Sequence, residues 1–253
     1  MPLGVKVRIL LPAPYFFLLT FYKKYVIFHN MKTEKILVVG DIHGCYGYLN
    51  SIISKKNPQI VLQCGDFGYF PNSIFKDSRG NIHYWKMEFK NKNTKIYWID
   101  GNHEDHWGLS SLENNEIYPN VFYMKRGSIL TLSDGRNVLF IGGALSIDKH
   151  DRIEGIDWFR EETITQKDLM NIPDKNIDIV ISHTLPNEFD VFDYHIKFDH
   201  DTSRDALSTI LEYYKPDLWF GGHMHTFKTG KYLNTKWTCL SYAGHYERWW
   251  CWL

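Results

Sequence analysis

Five short apolar runs in this chain each lead into residue types that ligate metal ions. Ile36 to Gly40 leads into Asp41-Ile42-His43, Ile60 to Cys64 into Gly65-Asp66, Lys95 to Asp100 into Gly101-Asn102-His103-Glu104, Ile177 to Ile181 into Ser182-His183, and Leu218 to Phe220 into Gly222-His223-Met224-His225. Short β-branched and aromatic runs bounded by turn residues read as buried strands. Between them, Tyr46 to Ser54 reads as a helix ended by Pro58, and Ser203 to Tyr214 places Ala206, Leu207, Ile210, Leu211 and Tyr214 at helical spacing. Ser128 to Ala144 alternates around Asp134-Gly135, a hairpin signal. The aromatic tail, Trp237 to Leu240 and Trp249 to Leu253, reads as strand or packed end. Repeated strand, ligand and helix predict a layered α/β sheet with the ligands along one rim. The strand order is left open.

The donor types constrain the chemistry. Asp-x-His recurs by chance and Gly-Asp is a common turn, but the five segments together are hard to account for without a bound metal pair. Two cations roughly 3.5–4 Å apart need a shared ligand and hard or borderline donors. Carboxylate, amide oxygen and imidazole supply that set, and Asp66 is the natural bridge. His223 and His225, alternate residues of an extended or looped segment, can point to one region. The glycines before Asp41, Asp66, Asn102 and His223 allow close approaches that a β-carbon would obstruct.

Composition narrows the class. A chain of 253 residues, 44% hydrophobic, buries a sizeable core, and no linker or repeat divides it. Twenty-nine basic and 29 acidic side chains balance, so there is no clear nucleic-acid patch and no bulk case for an acidic membrane. Nine tryptophans point to a filled core or an aromatic-lined cleft. Cys45, Cys64, Cys239 and Cys251 form no C-x-x-C pair and suit buried free thiols in a reducing, cytoplasmic setting. A redox or ligand role at Cys45 or Cys64, which flank the first two motifs, stays open.

The first thirty residues stand apart. Lys6 and Arg8 precede an apolar run from Ile9 to Tyr22, followed by Lys23 and Lys24, loosely like a signal peptide or short anchor. The run is too short to span a bilayer comfortably, Pro12 and Pro14 interrupt it, and no small-residue cleavage site follows. Two readings stand: translation from Met31, with residues 1–30 a gene-model extension, or a membrane-associating segment. The main domain is expected over 31–253.

The ordered pattern D-x-H, G-D, G-N-H-[DE], H, G-H-x-H, complete from Asp41 to His225, resembles that of the calcineurin-like metallophosphoesterases. The resemblance covers the chain from about Lys35 onward. It implies a double β-sheet sandwich flanked by α-helices, with the metal site at the C-terminal ends of strands. It also implies two ligand sets: Asp41, His43, Asp66 and His225 for one divalent ion, and Asp66, Asn102, His183 and His223 for the other. Mn²⁺ is the expected ion in vitro, with Fe or Zn²⁺ also compatible with oxygen and nitrogen donors. The activity implied is hydrolysis of a phosphate ester, a phosphodiester or phosphomonoester on a small molecule, by a hydroxide shared between the cations. The resemblance makes His103 the general acid beside the leaving group, and Asn102 both a ligand and a contact for a phosphate oxygen. Glu104 or Asp105 could orient His103, or both could be solvated acids in the first turn of a helix.

Three alternatives remain open at this stage. A Ser/Thr-type protein phosphatase is disfavoured because Tyr69 and Phe70 stand where that branch carries an aspartate and a phosphate-gripping arginine. Arg79, Arg126, Arg152, Arg160 or Arg204 could replace the missing arginine. A nuclease would favour a basic groove, and a non-catalytic scaffold would tend to lose ligands. Two polar clusters, Asp148/His150/Asp151/Arg152 and His195/Asp199/His200/Asp201, could rim the pocket or be solvated loops. Phe67 to Asn93, with Pro71, Asp77 and Gly80, is the candidate substrate-selecting insertion, in which Tyr84 and Trp85 could stack on a base or anchor the loop. Oligomeric state is not legible.

Overall fold

Strands buried on both faces dominate the architecture, because their side chains alternate between two cores. A computed structural model describes residues 34–76, 82–90, 92–191, 200–246 and 248–253. The expectations for residues 1–30, and those resting on Asp77, Arg79, Gly80, His195 and Asp199, lie outside the described residues. In chain order the elements begin β1 (Ile36–Val39), α1 (Tyr46–Lys56), β2 (Ile60–Gln63), β3 (Ile74–Lys76), β4 (Ile82–Tyr84), β5 (Lys95–Trp98), α2 (His106–Ser110), β6 (Glu116–Tyr118) and β7 (Val121–Tyr123). They continue with β8 (Ser128–Thr131), β9 (Asn137–Ile141), α3 (Gln166–Met170), β10 (Ile179–Ser182), α4 (Thr202–Tyr214), β11 (Leu218–Gly221), β12 (Lys228–Tyr232), β13 (Thr235–Cys239) and β14 (Trp250–Trp252).

Two six-stranded sheets result, ordered β14-β1-β2-β5-β7-β6 and β12-β13-β11-β10-β9-β8, beside a two-stranded ribbon of β3 and β4. Within β1, Ile36 and Val38 join the middle core while Leu37 and Val39 join an outer one. In β9, Val138 and Phe140 face the middle core and Leu139 and Ile141 the other outer one. The apolar runs seen in the sequence are therefore strands covered on both sides, as expected of parallel sheets. Leu49, Ile52 and Ile53 of α1 pack on the first sheet, and Leu207, Ile210 and Leu211 of α4 on the second. Asn57, in the left-handed region at φ 48°, closes α1 before Pro58. Asp201 caps α4 by accepting from the backbone N–H groups of Ser203 and Arg204.

Parallel pairing puts the ligand segments on one rim. The pairs β1–β2, β2–β5 and β5–β7 are parallel, as are β9–β10, β10–β11 and β11–β13. Each strand therefore delivers its following loop to the same edge. Asp66 O accepts from the N–H groups of Ile42 and His43, and His183 O from Gly222 N, so neighbouring loops are tied together as they leave the sheets. The Ser128–Ala144 hairpin forms as β8 and β9. β10 starts at Ile179, two residues later than its apolar run, although Ile177 is buried. Among the described residues, no helix is long and apolar enough to cross a membrane.

Candidate metal centre

Asp41, His43, Asp66 and His225 each place one donor atom within 4.8 Å of all the others. The Nε2 atoms of His43 and His225 are 3.0 Å apart, with His43 3.6 Å from Asp66 Oδ2 and His225 3.3 Å from Asp41 Oδ2. Asp41 and Asp66 are buried, while the His225 side chain is 48% exposed and opens the cluster to solvent. Asp41 also accepts from the backbone N–H of His223, through both oxygens at 3.1 Å.

A second group of acceptors meets the first at Asp66. His183 is fully buried, and its Nδ1 donates to Cys64 O at 2.8 Å, which leaves Nε2 as the inward atom. That Nε2 lies 3.1 Å from Asn102 Oδ1 and 3.3 Å from Asp66 Oδ1. Asn102 is oriented by a relay: its amide donates to Ser146 Oγ at 3.0 Å, and Ser146 donates through its hydroxyl and its backbone N–H to Glu162, at 2.9 and 2.7 Å. The His223 ring stands 5.0 Å from that of His183, centroid to centroid. Seven sequence-selected residues thus gather in one place, with His103 at their edge, its ring 5.2 Å from His43 and its backbone N–H donating to Asp66.

Backbone conformation marks the same place. His43, Asp66, His223 and His225 all have positive φ, between 44° and 64°, a region costly for residues with a β-carbon. Strain of this kind persists where surrounding contacts demand it. Gly222 packs so tightly on the Asp41 carboxylate, and Gly101 on that of Asp66, that a β-carbon at either would collide with it. These are the close approaches the glycines were expected to permit.

The electrostatics of the cluster call for positive charge. Burial acts to raise Asp66, but the charge and hydrogen bond of His183 outweigh it and hold the carboxyl well below the usual range. Burial acts to lower His183, but Asp66 and then Asp41 carry it up to about 10. His223 goes the other way, to about 3, through burial and the neighbouring His183. The hydrogen bond to Asp41 raises His225. Carboxylates that draw a proton onto one imidazole while inward-facing Nε2 and Oδ1 acceptors converge form a donor set that fits divalent cations.

The surroundings revise several sequence expectations. Glu104 is not solvated: it is fully buried, accepting from Gly68 N at 3.0 Å and Gly101 N at 2.6 Å, and burial and Asp66 raise its carboxyl well above the usual value. Asp105 accepts from Gly108 N at the start of α2. The side-chain neighbour of His103 is instead Arg152, whose Nη2 lies 3.0 Å from His103 Nε2. Arg126 is committed to Asp100 and to carbonyls of 161–163, Arg204 to the carbonyls of Leu185 and Pro186, and Arg160 to Glu154 at the surface. The first polar cluster therefore reaches the site through Asp148 and Arg152, whereas Asp201 caps α4 and His200 pairs with Asp205.

Trp85 anchors its loop by donating to Gly68 O, and also lines a cavity of about 530 Å³ with His43, His103, Phe70 and Lys86; the Tyr84 side chain lies outside the described residues. All four cysteines are free; Cys64 and Cys239 are buried and Cys45, against expectation, is exposed. Ser146 and Glu162 were not foreseen, because neither is a usual ligand type. The signal was available: Ser146 follows β9 after Gly142-Gly143, one more loop at the end of a parallel strand.

Two packed sheets with a cluster of carboxylates and imidazoles on one rim define an α/β sandwich with a candidate metal site. The family model for the calcineurin-like phosphoesterases matches residues 34–227, and the chain belongs to that family, one of phosphoester hydrolases. It is similar to TT1561 of Thermus thermophilus, with a TM-score of 0.50 and 13% identity, covering 83% of this chain and 90% of that one. A phosphopantetheinyl hydrolase from Mycobacterium tuberculosis aligns with a TM-score of 0.46 and 13% identity over 87% of this chain and 96% of that one. In sequence, a CWF19-like protein 1 homolog from Drosophila melanogaster is 30% identical over 117 residues, which is 43% of this chain and only 20% of that relative's length.

Proposed function

We propose that this protein hydrolyses small-molecule phosphate esters with a pair of divalent cations and with His103 as general acid. The observation that carries the reading is the convergence of Asp41, His43, Asp66 and His225 to within 4.8 Å, on backbone that three of the four hold at positive φ. Asp41, His43, Asp66 and His225 would hold one cation, and Asp66, Asn102, His183 and His223 the other, with Asp66 shared. Mn²⁺ is the ion expected to support activity in vitro, Fe and Zn²⁺ also suiting these donors. When bound, the cations would supply an activated water and neutralise phosphoryl charge.

The chain's own residues do the rest. His103 lines the cavity beside His43, where an imidazole can pass a proton to a departing alkoxide. The Glu162–Ser146–Asn102 relay keeps the Asn102 carbonyl turned inward. Glu104 clamps the loops carrying Asp66 and Asn102 through their backbone N–H groups, fixing the spacing of the two. The cavity of about 530 Å³ suits a small-molecule ester, and free thiols suit a reducing cytoplasm.

The test compares a chromogenic phosphomonoester with its diester, using Mn²⁺-reconstituted wild type and His103→Ala, with bound metal measured in both. The expected result is metal-dependent turnover of at least one ester, falling about 10²-fold or more in the variant while its metal content is unchanged. Equal turnover in the two proteins removes His103 from the chemistry, and none in the wild type removes the hydrolase reading.

A further inference from the structure

Arg152 lies in the loop that follows β9, and two of its guanidinium nitrogens flank the His103 ring, Nη2 at 3.0 Å from Nε2 and Nη1 at 3.3 Å from Nδ1. One oxygen of Asp148 accepts from both Nε and Nη2, at 3.0 and 2.7 Å, and so fixes the guanidinium from its outer edge. The arginine side chain is 11% exposed and its partner 49%, so the strut faces solvent and the fork faces inward. Beyond the histidine, Nη1 has only long contacts among the described residues, to Ser146 Oγ and Asp157 O at 3.4 Å each. Donors held at that length exchange readily for an anionic oxygen at ordinary hydrogen-bond distance. His103 and Asp157, both within reach of the guanidinium, line the cavity that contains His43. A planar guanidinium held at that edge presents a fork of N–H donors that matches the oxygens of a phosphate.

We propose that Arg152 is a clamp for a terminal phosphate group, gripping an unesterified phosphoryl oxygen beside His103, with Asp148 as its strut. The inference rests on the phosphoesterase reading above and names its substrate class. A monoester keeps three unesterified oxygens and close to two negative charges, a diester two oxygens and one charge, so a planar cationic fork gains more from the monoester. This arginine stands in the loop after β9, a different segment of the sequence from Tyr69 and Phe70, where the protein-phosphatase branch carries its own. The chain therefore recovers an arginine grip from a different segment.

The experiment measures binding of inorganic phosphate to the Mn²⁺-loaded protein by calorimetry, for wild type, Arg152→Ala, Arg152→Lys and, as a loop-charge control, Arg160→Ala. Circular dichroism melts check that each variant is folded. Phosphate affinity should fall about tenfold or more in Arg152→Ala, as for loss of a charge-assisted hydrogen bond, and stay unchanged in Arg160→Ala. Arg152→Lys, which keeps the charge and loses the fork, should also bind more weakly than wild type and tests the clamp even if the alanine variant unfolds. In parallel, kcat/KM for the monoester should fall further than for the diester. Unchanged phosphate affinity in both Arg152 variants overturns the clamp, and equal losses for the two esters overturn its preference for terminal phosphate. Wild type that turns over esters while the variants bind phosphate normally sinks the clamp alone. Phosphate binding that depends on Arg152 in a wild type with no turnover sinks the hydrolase reading alone.

Discussion

His106 is buried four positions after Asn102, and its Nε2 has no hydrogen-bond partner among the described residues. Burial depresses its pKa to about 4, with Asp100 acting in the opposite direction. An unfolded histidine titrates near 6.5, so the unfolded chain binds the extra proton first as pH falls. The stability tied to a neutral His106 is therefore complete above about pH 6.5 and is lost progressively towards pH 4, a change on the order of 3 kcal/mol. Urea unfolding at pH 7 and pH 5 should show a smaller drop for His106→Phe than for wild type; equal drops would place the acid sensitivity elsewhere. Ser146→Ala should weaken metal binding about 10–100-fold while the protein stays folded, because the Asn102 amide loses the acceptor that turns its oxygen inward. Unchanged metal affinity by dialysis would make the relay dispensable. The clustering of Asp41, His43, Asp66 and Asn102 was legible because donor chemistry is written in the side chain and each residue follows a strand. Glu104 was misread because its role comes from burial, and nothing in a glutamate announces that.

Among the elements, those buried on both faces were readable to within two residues. β1, β2, β5, β10 and β11 are apolar runs with clear ends, while β9 was placed only as one arm of the Ser128–Ala144 hairpin. β6 and α2, at three and five residues, are too short to show a period. β12, Lys228–Tyr232, is a largely polar edge strand that carries no core pattern. Its neighbour β13 was placed only in part, from the apolar end. Loops are held by charge as well as by sheet: Arg126 joins Asp100 after β5 to the carbonyls of 161–163 and to Asp168 of α3. Arg126 and Asp100 are each at most 10% exposed. Replacing Arg126 with Ala leaves a buried carboxylate unpaired and should cost about 3–5 kcal/mol in urea unfolding; a cost below about 1 kcal/mol would show that the pair relaxes into solvent. Gly222→Ala, in the loop after β11, should displace Asp41 and weaken metal binding at least about tenfold. Metal affinity equal to wild type would mean that the loop yields without moving the carboxylate.

At the scale of the molecule, the class of fold was legible and the strand order was not. Order is decided by pairings across long stretches of chain, such as β14 beside β1 and β13 beside β11, which no local pattern encodes. The rim was legible for a physical reason: parallel strands send their following loops to one edge, so ligand types placed after strands must meet. A centre assembled from both sheets would also couple bound cations to folding, and metal loading should raise the melting temperature as binding to the native state stabilises it. The most direct measurement is the metal content of stripped protein dialysed against Mn²⁺, for wild type and Asp66→Ala. Two ions per wild-type chain are expected, with a loss at both positions in the variant, as the proposed sharing of Asp66 requires. A folded wild type that retains no metal, or an Asp66→Ala variant that retains both ions, would contradict it.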